Sequence, residues 1–266
     1  MNQGAIFNLF CYSPLIIHPY ILIILFSFSL LTTTTSSTID PKFQACEPKT
    51  CGNGQNISYP FYIKGKHEPF CGYPGFELTC DHNNGFPIIT TTSSSQQYIV
   101  DEIFYDNQSV RVSIPSFSKP KSNQCIPRRI MNFSQYSRRF IVAPNQKHVL
   151  LFYGCNSTTL PEKLKENIVG CDDGNKTSSV VALYREDRNL SLMPKYCKGD
   201  VVNISVVNEK GGIKELLKRG YVLNWVATNC GGCMNSGGRC GFDLERDVYS
   251  FRCYCRDGVH DQTCEG

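Results

Sequence analysis

The stretch CGGCMNSGGRCGFDLERDVYSFRCYCRDGVHDQTC, residues 230 to 264, has six cysteines in the spacing C-x2-C-x6-C-x12-C-x-C-x8-C. Such dense cysteine in a short segment is typical of exported modules that are held by disulfides. Zinc is the alternative, because Cys230 and Cys233 form a C-x-x-C pair. The chain has only five histidines, however, and none lies at zinc-finger spacing. We therefore predict a disulfide framework and no metal site or cofactor.

Cysteines continue toward the amino end at wider spacing. The chain has 15 cysteines, and fourteen remain when Cys11 is assigned to a leader. An even set of this density predicts up to seven bridges made in an oxidising compartment. The predicted disulfide residues are Cys46, Cys51, Cys71, Cys80, Cys125, Cys155, Cys171, Cys197, Cys230, Cys233, Cys240, Cys253, Cys255 and Cys264.

The first 38 residues predict a signal peptide. Residues 21–31 are almost wholly apolar and lead into the small, polar run 32–38. An apolar run of about 7 to 15 residues is typical of a signal core, whereas a spanning helix needs about 20. No positive charge precedes Lys42, which departs from the usual pattern. We expect a secreted protein, which would be membrane-associated only in a longer isoform.

Seven Asn-x-Ser/Thr triplets predict an N-glycosylated protein. The formal net charge of +4 is weak, and an exported glycoprotein does not meet nucleic acid, so we exclude that partner. The predicted glycosylation sites are Asn56, Asn107, Asn132, Asn156, Asn175, Asn189 and Asn203.

Residue patterning predicts a mostly β protein made of small disulfide-rich modules. In a first module, residues 46–114, Val110, Val112 and Ile114 alternate with polar residues as in a half-buried strand, and residues 98–105 are its expected partner. Residues 115–127 read as a connector. A second module, residues 128–266, has strands predicted at 148–153, 178–184 and 200–207.

One short helix is predicted in the second module, over residues 211–219. Ile213, Leu216 and Leu217 share a face, Glu215 can pair with Arg219, and a glycine follows as a stop signal. The alternation after it predicts a strand that ends at Trp225, on which the helix would pack.

Two parts of the chain resemble a known plant architecture. Residues 46–114, with CGNGQNISYPFYI, FCGYPGFELTC and YIVDEIFYDNQSVRVSI, resemble the galacturonan-binding domain of wall-associated and leaf-rust-resistance-type receptor kinases. Residues 150–264, with LLFYGC, GYVLNW, NCGGCMNSGGRCGFD and RCYCRDG, resemble the carboxyl-terminal wall-associated-kinase domain of the same ectodomains.

This resemblance implies an extracellular sensor that binds homogalacturonan, with a membrane receptor kinase as a further candidate partner. No kinase motif occurs in the chain, so we expect no enzyme activity and interpret it as a soluble receptor-like protein or a truncated receptor.

The ending CYCRDGVHDQTCEG, within residues 230–264, is also similar to the carboxyl half of an epidermal-growth-factor-like module. That likeness implies the pairs Cys230–Cys240, Cys233–Cys253 and Cys255–Cys264. Six cysteines permit fifteen pairings in all, and the spacing by itself does not choose among them.

A polymer with one carboxylate per sugar needs spaced cations and aromatic platforms. The alternative is that the aromatic residues form core and that the cations are merely solvated. The candidate ligand-binding residues are Tyr62, Lys64, Lys66, His67, Tyr73 and Arg111 in the first module, and Arg128, Arg129, Arg138 and Arg139 beside it.

Two other functional classes compete with this interpretation. A secreted cysteine-rich defence or inhibitor protein that binds another protein is the main alternative. A hydrolase would need a positioned carboxylate pair or an activated nucleophile. Asp172 and Asp173 are adjacent and would face opposite sides of a strand, or mark a turn. We therefore predict no catalytic residues.

Overall fold

In the computed structural model, residues 39–91, 96–118, 125–128, 130, 139–245 and 248–264 are described. Most of the regular structure is β, in line with the alternating patterns. The strands are β1 Tyr62–Ile63, β2 Glu77–Cys80, β3 Pro87–Thr90, β4 Gln97–Phe104, β5 Ser109–Ser113, β6 Phe140–Val142, β7 Lys147–Cys155, β8 Ile168–Cys171, β9 Ser179–Tyr184, β10 Val201–Val206, β11 Tyr221–Trp225, β12 Arg239–Glu245, β13 Val248–Cys255 and β14 Gly258–His260.

Among the described residues, the helices are all short. Only the helix predicted from apolar periodicity reaches seven residues there, and single-turn helices carry no such periodic signal. The helices are α1 Pro41–Ala45, α2 Pro115–Ser118, α3 Glu162–Lys165, α4 Met193–Tyr196, α5 Ile213–Arg219 and α6 Gly231–Asn235, with 3₁₀ turns at Pro69–Cys71 and Leu190–Leu192. The predicted fold class, mostly β with disulfide-rich modules and a short helix in the second half, is confirmed.

The largest sheet has seven strands in the order β1-β2-β3-β4-β5-β11-β6. The predicted hairpin is present, with β4 antiparallel to β5. β1 pairs with β2 in parallel. Val110 and Val112 face a buried core, while Arg111 between them is on the outer face and half-exposed. This arrangement follows from the two-residue period of a strand.

Strand β11 joins this sheet from more than a hundred residues further along the chain. It pairs antiparallel with β5, with Leu223 opposite Val110. Helix α5 precedes it, with Ile213, Leu216 and Leu217 buried as the sequence predicts. Gly220 links the two at φ +73°, and a Cβ there would overlap the Val112 carbonyl oxygen. A residue with a side chain would therefore be excluded from this turn.

The three strands predicted in the second half are also confirmed, and they lie in a four-stranded antiparallel sheet of order β10-β7-β9-β8. Residues of this sheet, such as Leu151, share one core with Phe61 and Leu223 of the large sheet. Residues 39–266 accordingly form one compact unit. The boundaries of the two modules and of the 115–127 connector remain predictions.

The cysteine-rich tail, residues 230–264, forms helix α6 and a three-stranded sheet of order β12-β13-β14. Its three disulfides are the ones that the growth-factor-like likeness implies. The other four bridge more distant parts of the chain. The seven pairs are Cys46–Cys71, Cys51–Cys80, Cys125–Cys171, Cys155–Cys197, Cys230–Cys240, Cys233–Cys253 and Cys255–Cys264.

Candidate functional site

The amino-terminal edge of the large sheet carries one cation paired with a carboxylate. Lys64 Nζ lies 3.4 Å from Glu77 Oε1, and the Tyr62 hydroxyl donates to Glu77 Oε2 at 3.3 Å. Lys64 and Glu77 are exposed, and Tyr62 is half-buried. Burial of the ring and the neighbouring Glu77 carboxylate raise the pKa of Tyr62 to about 12. The hydroxyl therefore keeps its proton at physiological pH and remains a donor.

Arg111 forms a second such pair on the same outer face. Its Nη2 donates to Glu102 Oε2 at 2.7 Å, and both side chains are partly exposed. Four strand spacings separate β1 from β5, which is roughly 19 Å at about 4.8 Å per strand. Ile88 and Ile99 lie on that face between the two pairs and are buried. The outer face thus offers two separate cationic positions.

His67 has a structural role in the turn after β1. It is only 6% exposed. The Ile63 backbone N–H donates to His67 Nδ1 at 3.0 Å, and Nε2 lies 2.9 Å from the Glu47 carbonyl oxygen. This pairing requires a ring with its proton on Nε2. Burial lowers the pKa of His67, so the side chain is neutral and supplies no charge to a ligand.

Lys66, in the same turn, uses its ammonium group within the protein. Its Nζ donates to the Thr50 carbonyl at 2.7 Å. In return, Lys49 Nζ donates to the Lys66 carbonyl oxygen. Because Lys66 is exposed, its charge can still act on a ligand across a short distance, but part of its donor capacity is already in use.

Arg128 is committed to an ion pair with Asp172, which directly follows strand β8 of the four-stranded sheet. Its guanidinium donates to both oxygens of Asp172 at 2.7 and 2.8 Å. Asp172 is fully buried and also accepts from the backbone N–H groups of Gly154 and Gly174, each at 2.9 Å. Arg128, followed by these N–H groups, holds the pKa of Asp172 below its usual range. Arg128 is thus a structural cation, and Asp172 is its buried partner.

Arg139 stabilises an aromatic cluster. Its Nη1 donates to the Tyr73 hydroxyl at 2.7 Å, and its guanidinium carbon lies 4.4 Å from the centre of the Tyr73 ring. The ring of Tyr73 in turn packs edge-on against Phe242 of the tail, with centroids 4.8 Å apart. Tyr73 therefore connects the large sheet to the tail. The two other predicted cations, Arg129 and Arg138, lie outside the described residues.

A groove that sequence reasoning missed runs along helix α6. Two adjoining cavities of about 340 and 980 Å³ share Thr228, Asn229, Gly231 and Asn235. The smaller reaches Tyr59 of the large sheet region, and the larger reaches the 261–263 loop of the tail. We call both cavities together the α6 groove. Its lining comes from five separate stretches of chain, so no local sequence pattern could have revealed it.

The predicted glycosylation sites mostly face solvent. Asn56, Asn107, Asn156, Asn175 and Asn203 are exposed, and Asn189 is half-buried. Asn132 lies outside the described residues. Exposure makes each of the five accessible to a glycan, and whether each carries one remains a prediction.

Comparison with known families covers both halves of the chain. Residues 46–114 match the family described as wall-associated receptor kinase galacturonan-binding. Residues 165–258 match the family described as wall-associated receptor kinase C-terminal. A leaf rust 10 disease-resistance locus receptor-like protein kinase-like protein, 1.2, from Arabidopsis thaliana is 37% identical over 254 residues. The chain has the ectodomain architecture of this receptor-like kinase family.

The likeness to curated members of the family is confined to one part of them. The alignment with the 1.2 protein covers 91% of this chain and 37% of that protein. The related 2.1 protein of Arabidopsis thaliana is 24% identical, with 85% of this chain and 36% of that protein covered. This chain therefore spans little more than a third of these relatives. Neither matched family region is a kinase domain.

A relative whose name does not describe a kinase also aligns with much of this chain. The RING-H2 finger protein ATL22 of Arabidopsis thaliana is 26% identical over 179 residues, which cover 66% of this chain and 41% of that protein. No solved structure matches the chain. Within the described residues, no helix has the length and apolar character needed to cross a bilayer.

Proposed function

We propose that this chain binds acidic, pectin-type polysaccharide outside the cell, as the ligand-binding region of a cell-wall sensor. The observation that carries the proposal is the match of residues 46–114 to a galacturonan-binding family. Seven disulfides support an extracellular setting, because bridges of this number persist in oxidising compartments. A cleaved leader, N-glycosylation and signalling through a kinase on this or a partner chain belong to the same proposal.

The best-supported contacts for the polymer are Lys64 and Arg111, with Tyr62 as a neighbouring platform. Each cation is partly exposed and already paired with a glutamate. A galacturonate carboxylate offers the same chemistry as that glutamate and can replace it, with Arg111 able to bind in bidentate fashion. We leave His67 and Arg128 out of the proposed site, since one is neutral and buried and the other holds Asp172.

Because each cation is paired with a glutamate, isothermal titration calorimetry with oligogalacturonides can test the proposed contacts. Lys64→Gln and Arg111→Gln should each weaken binding, whereas Glu77→Gln should strengthen it. The last effect follows because removing a competing carboxylate frees Lys64 and removes repulsion. We expect changes of about 2- to 10-fold, since one screened charge pair is worth about 1 kcal/mol. Lys163→Gln, at an exposed lysine of helix α3, is the matched control and should have no effect.

Ionic strength and esterification separate this mechanism from the alternatives. Binding should weaken as salt shortens the screening length to about 8 Å and below, and it should be lost on fully methyl-esterified chains, which are neutral. Equal affinity for neutral chains would contradict charge pairing. No binding to any of these polymers would favour the competing interpretation, a secreted protein that binds another protein.

A further inference from the structure

The α6 groove has the polar groups that bind hydroxyl-rich ligands. The side-chain amides of Gln108, Asn235 and Gln262 line it and are exposed. None of the three makes a side-chain hydrogen bond within the part of the chain that the structure describes. Each amide can donate and accept at once. A sugar hydroxyl does the same, so the lining matches carbohydrate in its hydrogen-bonding chemistry.

The floor of the groove is aromatic. Tyr59, Tyr105 and Trp225 all line the smaller cavity. Tyr59 donates its hydroxyl to the Thr228 carbonyl at 2.9 Å, and the Tyr105 ring lies edge-on to Trp225 with centroids 6.1 Å apart. An apolar floor with a rim of directed polar groups is the usual form of a small-molecule site.

Charge distinguishes this groove from the outer face of the sheet. In the larger cavity, Arg252 Nη1 donates to Asp261 at 2.7 Å, so these two charges cancel locally. In the smaller cavity, Asp106 is exposed and forms no ion pair with any described residue. The lining therefore has an excess negative charge, which repels a polymer of carboxylates. Neutral carbohydrate is the better match.

A source of neutral carbohydrate lies at the rim. Asn107 opens the triplet Asn-Gln-Ser and is exposed. Both of its chain neighbours, Asp106 and Gln108, line the groove, and consecutive Cα atoms are about 3.8 Å apart. The turn is fixed, because the Trp225 backbone N–H donates to the Gln108 carbonyl at 2.9 Å. A glycan on Asn107 would therefore start at the edge of the groove.

We propose that the α6 groove binds neutral carbohydrate and that its occupant is the N-linked glycan of Asn107. The docked glycan would cover the junction between the large sheet and the tail. This inference rests on the N-glycosylation included in the proposed function, but it does not rest on the binding of acidic polysaccharide, which is measured separately.

Site-resolved enzymatic deglycosylation of the folded protein tests the proposal. The protein is made in cells that attach oligomannose glycans and is treated with a peptide-N-glycosidase. Mass spectrometry then follows the conversion of each asparagine to aspartate. Release at Asn107 should be about fivefold or more slower than at Asn156 and Asn175, because only the undocked fraction is accessible. After denaturation, the three sites should react at similar rates.

A groove variant separates docking from local crowding. Asn235→Ala with Gln262→Ala removes two amides outside the glycosylation triplet. It should raise release at Asn107 to the rate at Asn175 and leave Asn175 unchanged. Gln44→Ala, which removes an exposed amide on helix α1, is the matched control and should change neither rate.

Three results would overturn the inference. They are an Asn107 that carries no glycan, release at Asn107 as fast as at Asn175 in the folded protein, or slow release that persists in the Asn235→Ala, Gln262→Ala variant. Binding of oligogalacturonide is measured on the same variants and should not change. A loss of that binding would place the acidic ligand, and not the glycan, in the groove.

Discussion

The large sheet and the cysteine-rich tail, residues 230–264, are stabilised by different means. In the sheet, Phe61, Val112 and Leu223 are fully buried in a continuous apolar core. In the tail, four of the six cysteines are buried beside Tyr254 and Phe242, with Cys253 and Cys255 at 0% and 1% exposure. Their sulfurs lie 3.7 Å apart although they belong to different bridges. A segment with so few apolar residues cannot bury enough surface to fold, and crosslinks must restrict its unfolded state.

This contrast predicts that the stability of the large sheet depends most on its buried apolar side chains. Phe61→Ala should lower the free energy of unfolding by about 3 to 5 kcal/mol, because it removes a buried ring and leaves a cavity. Phe61 packs edge-on against Trp225 at 5.1 Å, so tryptophan fluorescence in a denaturant titration reports the change directly. Ile141→Ala, at a residue 58% exposed on the neighbouring strand β6, should cost less than about 0.5 kcal/mol. Equal effects of the two would contradict a core-stabilised sheet.

The stability of the tail should depend most on its disulfides. Replacing Cys233 and Cys253 together by alanine should destabilise the tail by about 2 to 4 kcal/mol. Hydrogen exchange should then rise across β12 and β13 while β4 and β5 stay protected, since their core contains neither cysteine. The matched control removes the Cys51–Cys80 bridge, which closes a loop of similar size at the end of β2. If loss of Cys233–Cys253 opened β4 and β5 as well, the two regions would form one cooperative unit.

Lowering the pH should destabilise the four-stranded sheet, which shares its core with the large sheet, more than the tail. The effect should be smaller than those of the two preceding changes. Asp172 has a lowered pKa when folded, so its contribution to stability is complete above the ordinary carboxyl pKa of about 3.9 and is lost as pH falls through the folded value. Arg128 is 37% exposed, so solvent screening limits the size of this contribution. Disulfides do not titrate, so protection from hydrogen exchange should persist to lower pH in β12 and β13 than in β7 and β9.

Denaturant midpoints at pH 7 and pH 3 measure the Asp172 contribution. The midpoint of Asp172→Asn should be lower than that of the unmodified protein at pH 7, and the difference should shrink at pH 3. Asp173→Asn, at the exposed neighbour, should show neither effect. A difference that stays constant between the two pH values would mean that the ion pair does not govern the acid response.

Much of the fold was predictable from local pattern. The β4–β5 hairpin and helix α5 follow from apolar periodicity, and strands β7, β9 and β10 follow from runs of β-branched and aromatic residues. Both signals depend only on neighbours in the chain. Short helices such as α3 and α6 were not predictable, because one turn has no period. The candidate cations were found by residue type, but type does not reveal which of them have partners already. Arg128 and Asp172 are 44 residues apart, and no spacing rule connects them.

The sequence by itself determined the mostly β architecture, the even set of bridging cysteines and the family to which the ectodomain is related. These depend on residue type, order and short spacing, which the chain carries whatever its conformation. Only the tertiary structure decided that β11 lies beside β5, that His67 is buried and neutral, and that distant stretches form the α6 groove. Those features depend on contacts between residues far apart in the chain, and such contacts are made only when the whole core closes.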